Sequence, residues 1–128
     1  MAIPIIPVGK TNPNQPQAPM KYYPRAVQSG VIDLEALSQQ ISESTTLTEA
    51  DCQAVIISLV QTVSKALENG QIVRLGHLGS FQISVKGNGS ATPEEVSASH
   101  VTSSSILYRP GVRFKSMLKK LHFIKKKP

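Results

Sequence analysis

The sequence contains no tryptophan, a single cysteine, three Phe and three Tyr among its 128 residues. Any core must therefore be built from aliphatic side chains rather than large rings. With Cys52 alone, an intrachain disulfide and a cysteine-based zinc cluster are both excluded, and a reducing, cytoplasmic setting is expected. Long apolar runs are also missing. The best one, Cys52 to Val63, is interrupted by Gln53, Ser58 and Gln61 and falls far short of the about 20 residues that span a bilayer. No transmembrane helix is expected, and Met1 to Gly9, with Pro4 and Pro7 and no early positive charge, does not read as a secretory signal. Acidic residues are scarce, eight against 14 Lys and Arg, which leaves a net charge of +6 and a pI near 9.7. The length suits one domain with residues to spare for an arm or tail and excludes a multidomain enzyme; so small a core favours self-association.

The positive surplus is unevenly placed. Residues 1–70 hold four basic residues (Lys10, Lys21, Arg25, Lys65) and six acidic ones, whereas residues 71–128 hold ten basic residues against only Glu94 and Glu95. From Arg109 onward there are eight basic residues and no acidic one. A solubilising tail accounts for Lys125 to Lys127 but not for the whole set, and the asymmetry points to a polyanionic partner.

Six of the nine prolines fall within residues 1–30 (Pro4, Pro7, Pro13, Pro16, Pro19, Pro24), a density that helices and central strands do not tolerate. Residues 1–30 are therefore expected to be an extended arm, with an edge strand over Met20 to Val27. Asp33 reads as an N-cap before Leu34, Leu37 and Ile41, spaced as one face of a first helix. A second helix starts at Thr48 through a capping box with Asp51, carries the stripe Cys52, Val55, Ile56, Leu59, Val60, Val63 and Leu67, and stops at Asn69-Gly70. Strands are expected over Gln71–Leu75 and Ser80–Lys86, joined by the tight Gly76-His77-Leu78-Gly79, with Phe81, Ile83 and Val85 on one face. Thr92-Pro93-Glu94-Glu95 signals one or two helical turns before a third strand over Val101–Arg109. Pro110-Gly111 then precedes a last helix carrying Val112, Met117, Leu118 and Leu121.

Catalytic ingredients are thin. His77, His100 and His122 have no metal-site spacing, and Cys52 lies on the apolar stripe of the second helix, where an inert buried thiol is expected. Glu94 and Glu95 are adjacent and point apart, so they read as helix-start acids rather than an acid/base pair. The turn Gly76–Gly79 lacks the Lys-Ser/Thr of a phosphate loop and joins two strands. No enzyme, no cofactor, no metal and no small-molecule substrate are expected.

Two helices running into Asn69-Gly70-Gln71-Ile72-Val73-Arg74-Leu75-Gly76-His77-Leu78-Gly79-Ser80-Phe81-Gln82-Ile83 resemble the HU/integration host factor family of bacterial histone-like DNA-binding proteins. The match to that family's G-x-x-V-x-L-x-G-x-G-x-F run covers Gly70, Val73, Leu75, Gly76, Gly79 and Phe81, with Gly76 one position early. Arg109-Pro110-Gly111 and the basic helix after it resemble the family's close. The similarity extends from about Val31 to Phe123, and the proline-rich extension is closest to variant HU-like domains with an added N-terminal segment.

The resemblance implies an α+β fold: two N-terminal helices, a three-stranded antiparallel sheet with a modified arm, and a C-terminal helix, in an intertwined homodimer. Residues 31–123 would form this domain and residues 124–128 a basic tail. It implies a nucleoid-associated architectural role in binding and condensing double-stranded DNA, without a membrane. Gly87 to Tyr108 contains no Lys or Arg, and Pro93 is flanked by Glu94 and Glu95, which argues against kinking by intercalation. What remains is sequence-independent phosphate attraction, carried by Lys86, Arg109, Arg113, Lys115, Lys119 and Lys120, with Arg74 added. These cations are expected to join into one surface beside the sheet, neutralising about five phosphates per monomer. Helix 2 supports the dimer independently, because its stripe is longer than a small monomer can cover. Two other readings compete: an HU-like interaction module with weak or no DNA binding, and a membrane-surface protein using Phe114, Leu118, Leu121 and Ile124, for which core burial is the better explanation.

Overall fold

A computed structural model of the chain describes residues 1–127, which form two compact units. One comprises Met1–Asp33 together with the segment from Leu118 on; the other is Leu34–Met117.

The first unit is a mixed three-stranded sheet in the order β2-β1-β6. Strand β1 (Ile3–Lys10) pairs antiparallel with β2 (Lys21–Ala26) and parallel with β6 (Phe123–Lys125). Where an extended arm was expected over residues 1–30, β1 and β2 form a hairpin, and β2 lies at the sheet's edge within the expected Met20–Val27. Two prolines in a central strand need a reason. The Val27 N–H donates to Pro4 O (2.8 Å), so in this ladder the hydrogen-bonded pairs are those of residues 4, 6, 8 and 10. Pro7 therefore faces Pro24 at a non-bonded pair, where neither missing N–H removes a bond between the two strands. On the other edge of β1, the last bond runs from Lys126 N–H to Ile5 O (2.9 Å), so β6 ends before Pro7 could be asked to donate. The loop between β1 and β2 is held by turns at Asn12–Gln15 and Gln15–Ala18.

In the second unit, α1 (Leu34–Glu43) follows Asp33 directly, and the hydroxyls of Ser42 and Thr45 donate to the carbonyls of Gln39 (2.7 Å) and Ile41 (2.9 Å) at its end. Helix α2 (Glu49–Glu68) opens with the expected capping box: Asp51 N–H donates to Thr48 Oγ1 (3.1 Å) and Thr48 N–H to Asp51 Oδ2 (3.2 Å). It closes with Gly70 at φ 79°, Gly70 N–H on Leu67 O and Gln71 N–H on Ala66 O, which satisfies two of the orphan carbonyls. Next come β3 (Val73–Arg74), β4 (Gly79–Gly87) and β5 (Val101–Pro110) in an antiparallel sheet ordered β3-β4-β5. The first strand is shorter than the expected Gln71–Leu75, because the chain enters a 3-10 turn at Gly76–Leu78. Two further 3-10 turns, Pro93–Glu95 and Ala98–His100, occupy the β4–β5 connection.

Helix α3 (Val112–Lys119) begins in the second unit and ends with residues of the first. It stops short of Leu121, and Ile124 lies in β6, so the expected helical stripe Phe114, Leu118, Leu121, Ile124 does not form. Among the described residues, no helix is long and apolar enough to cross a membrane. Burial is sparse: Cys52 and Leu67 are the only buried apolar side chains among the described residues, and Ser38 alone is fully buried.

Candidate nucleic-acid interface

The β3-β4-β5 sheet has two chemically distinct faces because side chains alternate along each strand. Val73, Phe81, Ile83, Val85, Tyr108 and Ile106 fall on one face by register. With Leu59, Val60, Val63 and Leu67 of α2, several of these line an open apolar groove of about 690 Å³. On the opposite face the register puts Arg74 beside Ser80 and Ser80 beside Arg109, a row of three across adjacent strands. Gln82, Ser84 and Lys86 continue that face along β4, with Ser105 and Ser103 opposite the last two. At usual strand spacing the two arginines leave the backbone about 10 Å apart, and Lys86 lies about 20 Å along β4 from Ser80.

The glycine turn explains how this end of the sheet is held. Gly79 has φ 126°, and a Cβ there would collide with the Arg109 carbonyl oxygen and lie 2.9 Å from the Tyr108 ring. A Cβ on Gly111 would strike the carbonyl oxygens of His77 and Gly76. Tyr108 crosses the turn and donates its hydroxyl to Leu78 O (2.6 Å), while its ring lies 5.0 Å from that of Phe81. Only glycine permits so close an approach, and the approach sets Ser80 against Arg109.

The β4–β5 connection is a compact loop. Asn88 N–H donates to His100 O (3.0 Å), and Ser97 N–H to His100 Nδ1 (3.0 Å). Its only charges are Glu94 and Glu95. No arm of cations extends from this sheet.

The site residues named from sequence are divided by the structure. Arg74, Lys86 and Arg109 share one face of the β3-β4-β5 sheet. Arg113 and Lys115 are exposed on α3. Lys119 closes α3 and Lys120 follows it, and both belong, with Lys125 to Lys127, to the first unit. The cations named from sequence thus belong to two units, because the end of the chain adds a strand to β1. Ser80, Gln82, Ser84 and Ser105, polar partners on the arginine face, were recoverable from their alternation with Phe81, Ile83 and Val85, but hydroxyls gave no charge signal to draw attention.

The fold is similar to that of a putative bacterial DNA-binding protein from Bacteroides vulgatus ATCC 8482, with a TM-score of 0.68 at 16% identity over 99% of this chain. This chain spans 50% of the length of that protein. It is also similar to Anabaena HU in a cocrystal with DNA, with a TM-score of 0.55 at 17% identity, covering 70% of this chain and 99% of that one. No curated protein sequence matches. The fold class is HU-like, α+β with three helices and strand pairing that is antiparallel except between β1 and β6. The chain belongs to the HU-HIG family, an HU domain fused to wHTH, Ig, or glycine-rich motif, which matches residues 1–125.

Proposed function

We propose that this chain binds double-stranded DNA without sequence preference, through its phosphate backbone, as a homodimeric architectural protein of the nucleoid in the cytoplasm. The observation that carries the reading is the Arg74–Ser80–Arg109 row, continued toward Lys86, on the sheet face opposite the apolar groove. Arginines supply bidentate donors to phosphate, and the serine hydroxyls between them add neutral ones. Phosphate contacts of this kind carry no sequence information, so salt-dependent backbone attraction is the expected mechanism. Val60, 64% exposed on α2 where it lines the open groove, and Val55, 59% exposed on the same helix, support a second copy of the chain as the groove's cover. Arg113, Lys115, Lys119 and Lys120 are proposed as further backbone contacts.

The test is DNA binding by R74Q/R109Q measured across a salt series. Losing two phosphate contacts per chain makes the log–log slope for the dimer shallower by about 3.6. An unchanged slope removes the arginine row from the interface. A second reading, an HU-like interaction module with weak or no DNA binding, is favoured by one fact: residues 34–117 hold seven acidic residues against six basic ones. Absence of DNA binding by the wild-type chain at low salt would select it.

A further inference from the structure

The DNA-binding reading uses only Lys119 and Lys120 of the first unit, although that unit holds the entire positive surplus. Eight basic residues there face a single acid, Asp33, which is also the first acid in the chain. Strand alternation sorts these charges. Lys21, Tyr23 and Arg25 share one face of β2, and the register places Lys10, Val8 and Ile6 opposite them on β1. The parallel ladder pairs Ile5 with Lys125, so Lys126 falls on the face of Ile6 and Arg25.

One face thus carries Lys10, Lys21, Arg25 and Lys126 around Tyr23. Lys10 and Lys21 are direct cross-strand partners, an arrangement that costs stability unless an anion sits between them. The Lys10 ammonium lies 5.7 Å from the Tyr23 ring centroid. The β1–β2 loop folds over this end of the sheet, so that Asn12 and Gln15 join Lys10, Lys21 and Tyr23 around a groove of about 490 Å³. From Lys21 to Arg25 the cations span about 13 Å of strand, long enough to meet successive phosphates rather than one. The aliphatic members of the face, Ile6 and Val8, are half-buried, which leaves charge and amides to meet a partner. A lipid surface would need the opposite balance.

We propose that this face of the β2-β1-β6 sheet is a second site for the backbone of duplex DNA, with Lys10, Lys21, Arg25 and Lys126 neutralising phosphates and the Tyr23 hydroxyl and the loop amides donating to them. The inference rests on the DNA-binding reading and adds a contact surface outside the HU-like sheet.

The test uses the full chain and four proteins, wild type, K10Q/K21Q/R25Q, K10R/K21R and R74Q/R109Q, titrated with one short duplex across a salt series. The hairpin variant is expected to lose about tenfold or more in affinity at low salt, and its slope to become shallower by about 2.7 for each chain that contacts the duplex, about 5.4 for the dimer. The charge-preserving K10R/K21R variant is expected to keep the wild-type slope, which separates lost charge from lost folding. If the wild type binds and K10Q/K21Q/R25Q keeps its slope, the inference is overturned while the arginine row stands. If the wild type ignores DNA, both fall together. If the hairpin variant loses binding only to phosphatidylserine vesicles, the face belongs to a lipid surface and the inference is overturned.

Discussion

Val60 offers a sharp test of the twofold partner. It lies on α2 beside the apolar groove and is 64% exposed in the single chain. Were the chain to work alone, Val60→Asp would be an ordinary surface change, worth no more than about 0.5 kcal/mol, since Val and Asp have similar helix propensities. Were a second copy to cover it, the arithmetic changes. Full burial of a Val side chain contributes about 1.5 kcal/mol or more, so covering the exposed two thirds contributes about 1 kcal/mol per chain and about 2 kcal/mol per dimer. The new carboxylates would then be buried without partners, at a further cost of at least about 2 kcal/mol. A total near 4 kcal/mol weakens association about a thousandfold. Sedimentation equilibrium and denaturant unfolding at two protein concentrations read this directly, because dimer stability rises with concentration. The expected wild type is dimeric at micromolar protein with concentration-dependent unfolding, and the variant is monomeric. A wild type that sediments as a monomer, or a variant equal to it in both measurements, refutes the reasoning.

Gly79→Ala places a side chain at φ 126° and against the Arg109 carbonyl, so a loss of about 3 kcal/mol or more is expected by chemical denaturation; a loss under about 1 kcal/mol would mean that the turn relaxes freely. Ser38 is fully buried and its hydroxyl has no hydrogen-bond partner, so Ser38→Ala is expected to raise stability by about 1 kcal/mol, and a destabilised variant would show that the hydroxyl is satisfied in solution.

Much of the second unit was legible from local signals. The capping box at Thr48 and Asp51, the stop at Asn69-Gly70 and the strand after Gly79 are written in residues that act within a few positions of one another. The 3-10 turn at Pro93–Glu95 was announced by its proline and acids in the same way. Strand β1 was not legible, because Pro4 and Pro7 argue against a central strand until the partner strand is known. Its parity in the ladder and the early end of β6 make Pro7 harmless, while Pro4 sits at the last bonded pair, where it still accepts from Val27 N–H.

The candidate site divides along the same line. Cationic residues near the C-terminus could be counted from the sequence, yet which of them share a surface could not. Arg74 and Arg109 are 35 positions apart in the chain and meet across Ser80 only through β4. Lys125 and Lys126 join the N-terminal strand through a ladder whose partners are over a hundred residues apart. The sequence alone determined helix ends, turn glycines, the amphipathic stripe of α2 and the sign of the charge, since each depends on neighbours along the chain. The tertiary structure decided which charges stand together, because strand pairing is set by long-range register, and it gathered the basic end of the chain into one unit with the N-terminal hairpin.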